Sequence, residues 1–225
     1  MTTADHYAIK PWKFFRHPVS GFTHLAGALF GFISLIFMIR SSLEKQDPWH
    51  LSATLIFGLS LSLLYSTSSF YHLTSLSEKA TQLFRRLDHS MIYIFIAGCY
   101  TPFCLVSFRE SVGIKMAILI WALAFVGVGT KVFWLESSRW IRISLYFVLS
   151  SVCVFLIPHL WNFLGVSGFL WLMGGGAAYI LGAVIYAIKR PDPFPEVFGF
   201  HEIWHLFVLA GTACHFWVIT HYVLS

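Results

Sequence analysis

Two histidines four residues apart, in the run His201-Glu202-Ile203-Trp204-His205, are the sharpest chemical feature of this 225-residue chain. On a helix that spacing puts both on one face with Cβ atoms about 6 Å apart, which suits two imidazoles on one tetrahedral metal. Zinc takes histidine nitrogens at about 2.0–2.1 Å, and its catalytic sites typically hold three protein ligands plus water. His72 is the natural third ligand, and Ser68 lies one helical turn before it on the same face. Asp88 offers a carboxylate that would orient a ligand or handle the proton of water activated by the metal. Each residue also has a plainer use. Asp88 suits a helix N-cap, and Ser68 suits a contact between helices in lipid.

The elements that must position these residues are apolar. Of the chain, 57% is hydrophobic and 11% charged, against about 45–50% and about 25% in soluble domains. Residues 21–39, 51–71, 89–108, 116–130 and 203–224 contain no Asp, Glu, Lys or Arg, and about 20 apolar residues of helix cross a bilayer. The fourth stretch reaches residue 135 if Lys131 snorkels its ammonium to the surface. No charged residue lies between Arg142 and Lys189. As one helix that stretch would run roughly 70 Å, more than two hydrocarbon thicknesses. It therefore reads as a hairpin, broken around residues 158–167 where Pro158, Asn162, Gly165 and Gly168 interrupt the pattern. The expected fold class is an all-α integral membrane protein. A segment 1–20 precedes a seven-helix bundle 21–225, with spans near 21–39, 51–72, 89–108, 114–135, 142–160, 166–188 and 201–224.

Positive charge orients the bundle. Lys10, Lys13, Arg16, Lys79, Arg85, Arg86, Lys131, Arg139, Arg142, Lys189 and Arg190 fall on one side, leaving Arg40, Lys45, Arg109 and Lys115 on the other. The N-terminus is expected in the cytoplasm and the C-terminus outside, in the plasma membrane. The net charge of +5 is then mostly a topology signal, with some attraction to anionic lipid headgroups. Nucleic-acid binding is disfavoured, because the basic residues form no continuous patch. Cys99, Cys104, Cys153 and Cys214 lie in apolar runs without paired spacing and read as small hydrophobes. No cleavable signal peptide is apparent, since the first apolar run is long and ends at Arg40 without a small-residue cleavage site.

This topology sorts the ionisable residues by depth. His24, Ser68, His72, Asp88, His201 and His205 come from four helices yet share one cytoplasmic membrane level. Intramembrane ionisable groups are costly and are functional suspects by default. His24 reads as a supporting or structural residue. His215, about 21 Å along the helix from His201, is too far to share its metal and reads as part of an interior path or hydrogen-bond network. His159 and His221 belong near the outer surface. His89 points about 100° away from Asp88 and is left out. The literal H-E-x-x-H match would make Glu202 the general base of a metalloprotease. A five-residue match is weak, and no downstream carboxylate or histidine offers a third ligand at that depth.

Three segments resemble the hemolysin III family: Ser68-Ser69-Phe70-Tyr71-His72, Arg85-Arg86-Leu87-Asp88-His89-Ser90 and Ile96-Ala97-Gly98-Cys99-Tyr100-Thr101-Pro102-Phe103. So does the run from His201 to His205 followed by His215-Phe216. That family is a bacterial branch of the progestin and adipoQ receptor superfamily, which includes the adiponectin receptors. The resemblance implies seven helices, an N-terminus inside, and zinc held by His72, His201 and His205, with Asp88 and Ser68 flanking the water. One departure concerns the first family motif, where His17 stands in place of the usual Glu and Ser20 in place of Asn.

Three functions follow as expectations. The first is a zinc-dependent hydrolase acting on a lipid amide or ester at the cytoplasmic level. Asp88 would accept a proton and Ser68 would bond the water or the oxyanion, with membrane lipids as partners and substrate. The second is a non-enzymatic membrane-homeostasis or sensor protein with a structural zinc. The third, cytolysis, is disfavoured by constitutive spans. The residues leave open the substrate, the oligomeric state and the metal, because imidazole also binds iron and other divalent ions.

Overall fold

The computed structural model describes residues 15–134, 138–194 and 197–225, without the side chains of Arg139 and Arg142. Lys10, Lys13, Leu135 and most of the expected segment 1–20 therefore lie outside the described residues. Seven α-helices follow in order: α1 (Pro18–Glu44), α2 (Pro48–Leu73), α3 (Glu78–Pro102), α4 (Ile114–Phe133), α5 (Arg139–Ser151), α6 (Ile157–Ile188) and α7 (Phe200–Val218). No strand forms among the described residues. Local chemistry starts these helices. Proline stands in the first turn of α1 and α2, where a missing N–H costs nothing. Asp47 caps Trp49 N, Ser77 caps Ala80 N and Ser138 caps Ile141 N. Short π-helical turns, Phe103–Ser107 and Arg109–Gly113, join α3 to α4.

Six helical stretches among the described residues are long and apolar enough to cross a membrane. The fifth, Ile143–Ile188, contains 46 residues. Within it Gly165 has φ 60° and ψ −173°, a conformation that glycine adopts without a Cβ penalty. Before that residue the chain climbs along α3. The Tyr146 hydroxyl donates to His89 O, the Tyr100 hydroxyl donates to Ser150 O, and His159 and Phe163 pack on Phe108. After it the chain runs back along α7, with Gly168 beside Tyr222, Gly175 beside His215, Gly182 beside Trp204 and Tyr186 beside His201. The path reverses near Gly165, within the expected 158–167 break, while Pro158 itself sits comfortably in the first turn of α6.

The bundle is apolar on its outside as well as in its core. Large apolar side chains face outward, among them Ile36, Phe37, Phe133 and Phe155. Ser34, Ser42, Thr54, Ser60, Ser62 and Thr212 are buried inside. Small residues let helices approach closely where lipid supplies no hydrophobic drive. Gly31 abuts Ser62, Gly98 abuts Ser60, and Gly127 lies under the Tyr93 ring. Two expectations need correction. Lys131 does not snorkel outward: it is fully buried at the end of α4, because α4 turns that face into the bundle. Asp88 is not an N-cap, because Ser77 starts α3 and leaves Asp88 well inside the helix. All four cysteines are unpaired.

Candidate metal centre

The last turn of α2 and the first two turns of α7 bring three histidines together. The ligand atoms of His72, His201 and His205 all lie within 4.8 Å of one another. The Nε2 atoms of His72 and His201 are 3.5 Å apart, close to the roughly 3.3 Å that two zinc–nitrogen bonds at a tetrahedral angle require. Ring centroids are separated by 5.1 Å for His72–His201, 4.9 Å for His72–His205 and 4.7 Å for His201–His205. His72 and His205 are each only 3% exposed. These residues fit a metal ion, and His₃ suits zinc.

Around the triad lies a polar shell. Ser68 is buried one turn below His72, and its Oγ is 2.8 Å from His24 Nδ1. Ser68 of α2 and His24 of α1 are thus paired beside the triad, and Asp88 of α3 lines the adjoining cavity. His24 stacks on His205 at 3.8 Å with an interplanar angle of 18° and meets the Tyr65 ring edge-on at 4.9 Å. A cavity of about 220 Å³ adjoins the triad, lined by His72, His201, Asp88, His17, Tyr71, Arg85, His89 and Tyr186. His17, which stands where the family usually has Glu, packs edge-on against His72 at 5.6 Å. Burial and the Arg16 charge push the His17 pKa down, with Glu202 opposing.

Sequence reasoning missed several wall residues. His89 turns about 100° away from Asp88 on the helix, yet both line the cavity. Tyr71 and Tyr186 carried no signal, since an aromatic at a span end is ordinary. His159 and His221 lie apart, against Phe108 and Trp217. His215 also lies apart, bonded through Nδ1 to Gly211 O at 3.0 Å and packed near Tyr179. Beside it the Tyr65 hydroxyl donates to Thr212 Oγ1 at 2.7 Å, and the Tyr179 hydroxyl meets the same oxygen at 3.0 Å.

Glu202 does not face the metal centre. Its Oε1 accepts from Ser20 Oγ at 2.8 Å and its Oε2 accepts from Gly199 N at 2.9 Å. The carboxylate caps α7 and ties it to α1, so the H-E-x-x-H coincidence has a structural explanation. Ser20, the second departure from the family motif, is the residue that makes this tie.

A helical bundle with an apolar exterior and a histidine triad at one end defines a multi-pass membrane protein with a candidate metal centre. Residues 12–216 match the family described as Haemolysin-III related. The chain is 32% identical over 204 residues to the hemolysin-3 homolog of Bacillus subtilis (strain 168), covering 90% of this chain and 92% of that one. It is 35% identical over 204 residues to hemolysin-3 of Bacillus cereus, covering 90% and 89%. A more distant relative is the human monocyte to macrophage differentiation factor, 24% identical over 216 residues, covering 93% and 85%. The chain belongs to the haemolysin-III-related family.

Proposed function

We propose that this protein is a zinc-dependent hydrolase of a membrane lipid amide or ester, working at the cytoplasmic level of the plasma membrane. In this reading the chain crosses seven times with its N-terminus inside. The reversal of the α5–α6 path at Gly165 and the bias of Lys and Arg toward one side support that topology. One observation carries the functional reading: the histidine triad and Asp88 meet around one cavity at one end of the bundle.

His72, His201 and His205 would hold the ion, and zinc bound there would supply Lewis acidity that makes water nucleophilic near neutral pH. Asp88 takes the proton from the attacking water and returns it to the leaving nitrogen or oxygen, which balances the hydrolysis. Ser68, buried one turn below His72, bonds the water or the oxyanion. The acyl chains lie among the outward-facing apolar side chains while the scissile bond enters the polar cavity.

The test is release of fatty acid from a panel of lipid amides and esters by zinc-loaded protein in bilayers, read by mass spectrometry. Turnover by the wild type, lost in Asp88→Asn at unchanged zinc content, is the expected result. Full activity in Asp88→Asn refutes the role of Asp88. A second reading has its own support. Besides the triad, α7 reaches α2 through the Tyr65–Thr212 bond, so zinc there would also staple two helices. Zinc-loaded wild type without turnover on any lipid selects that structural role.

A further inference from the structure

We propose that the cavity beside the triad takes a phosphate-bearing lipid, with Arg85 holding the phosphate while the acyl linkage faces Asp88. The inference rests on the hydrolytic reading and names its substrate class.

Charge is the first argument. Asp88 is the only carboxylate among the described residues that line the cavity. Glu202, next to His201 in the chain, has its oxygens engaged by Ser20 and by Gly199 N. Against that single acid stand two arginines. Arg85 is a wall residue, and the exposed Arg16 lies with its guanidinium 4.9 Å from the centroid of the Tyr71 ring, another wall residue. Neither side chain gives up its charge. Arginine offers five N–H donors in a planar fork that matches phosphate, so Arg85 can grip an incoming phosphate while keeping contacts within the protein. Basic pockets between membrane helices hold lipid headgroups by this chemistry.

Register is the second argument. Arg85 and Asp88 stand three residues apart on α3, on one face, and about 4.5 Å apart along the axis. α3 starts at Glu78, just after His72 closes α2, so its first turns lie at the triad end and Arg85 is nearer the membrane surface than Asp88. A phospholipid presents its groups in that order. Its phosphate lies at the surface, and its acyl linkage lies a few ångströms deeper across the carbons of one glycerol or sphingoid backbone. Size agrees with this placement. The cavity holds about 220 Å³, less than the roughly 300–1,000 Å³ that encloses a whole drug-sized ligand. It therefore admits the polar end of a lipid and leaves the chains outside. A lipid without phosphate gives Arg85 nothing anionic to hold.

The first arm of the experiment is binding and needs no cleavage. The whole protein is offered equimolar dioleyl-ether phosphatidylglycerol and dioleyl-ether glycerol, which share their chains and lack any acyl linkage. Native mass spectrometry reads which lipid stays bound. Wild type should favour the phospholipid by about 10–100-fold. Arg85→Gln should lose most of that preference, and Arg85→Lys, which keeps the charge without the fork, should retain part of it. Lys79→Gln removes an exposed positive charge from the first turn of α3 and should match wild type. No preference in wild type overturns the proposal whether or not any variant folds. Equal preference in wild type and Arg85→Gln overturns it too, as does equal loss in Lys79→Gln, which would assign the effect to surface charge. Millimolar inorganic phosphate should leave the lipid bound; displacement would assign the site to a free phosphate ion and overturn the lipid.

The second arm is turnover by zinc-loaded protein in bilayers. KM for ester-linked phosphatidylglycerol should lie about 10–100-fold below that for diacylglycerol, and should rise by a similar factor in Arg85→Gln at unchanged zinc content. Cleavage of both lipids at equal KM would keep the hydrolytic reading and overturn this one. Phospholipid preference in the first arm without any turnover would fault the hydrolytic reading and leave the phosphate site standing.

Discussion

Zinc should raise the thermal stability of this protein by an amount set by linkage, and His201→Ala should remove the effect. The ligands sit on α2 and α7, 129 residues apart for the His72–His201 pair, and come together only when the bundle is assembled. A ligand that binds only the folded form stabilises it by RT ln(1 + [L]/Kd), about 1.4 kcal/mol for each tenfold rise in free zinc above Kd. For a chain of this size 1 kcal/mol moves Tm by roughly 2–4 °C, so Tm should climb by about 3–6 °C per decade of free zinc. The slope does not depend on the value of Kd. The assay is tryptophan-fluorescence unfolding in detergent with zinc set by a chelator buffer. His201→Ala should be flat over the range where wild type climbs. His221→Ala, whose ring stacks on Trp217 away from the triad, should climb with the wild type. A flat wild type, or an equal slope in His201→Ala, would refute the assignment of the triad as a metal site.

Other expectations concern the frame around the site. Thr212→Val strands the Tyr65 and Tyr179 hydroxyls and should cost about 1–3 kcal/mol, whereas Tyr65→Phe leaves Thr212 its second partner and should cost about 1 kcal/mol or less. In a Tyr65→Phe/Tyr179→Phe background Thr212→Val should be nearly neutral, as unfolding in mixed micelles would show. Gly127→Ala drives a Cβ into the buried Tyr93 ring and should cost about 1–3 kcal/mol in the same measurement. Glu202→Gln should retain zinc by elemental analysis and keep turnover within a few fold, losing about 1 kcal/mol through the weakened bond to Ser20; abolished turnover would revive Glu202 as a general base.

Charge-free runs made the helices legible, because in lipid every charge marks an end. The depth of each residue then grouped His72, His201 and His205, since span direction alone sets which end of a helix faces which side. Three things were hidden for physical reasons. The start of α3 at Glu78 lies in a polar stretch, where a capping serine rather than hydropathy begins the helix. Lys131 could not be placed, because whether an end-of-span lysine turns inward depends on its neighbours. The cavity walls at His89, Tyr71 and Tyr186 depend on the angles between helices, which no single span encodes. Ser20 looked like a missing family residue, and only its partner Glu202 explains it.

The tie between Ser20 and Glu202 joins the first helix to the last, and the triad likewise spans His72 to His205. Chains grow from the ribosome at about 5–20 residues per second, so His72 is exposed to the translocation machinery for several seconds before its partners are made. A chain arrested before α7 can neither close the bundle at its histidine end nor assemble the triad. A metal held by the triad would thereby report that synthesis and insertion have both finished, and a cell that clears metal-free copies would remove incomplete ones by the same criterion.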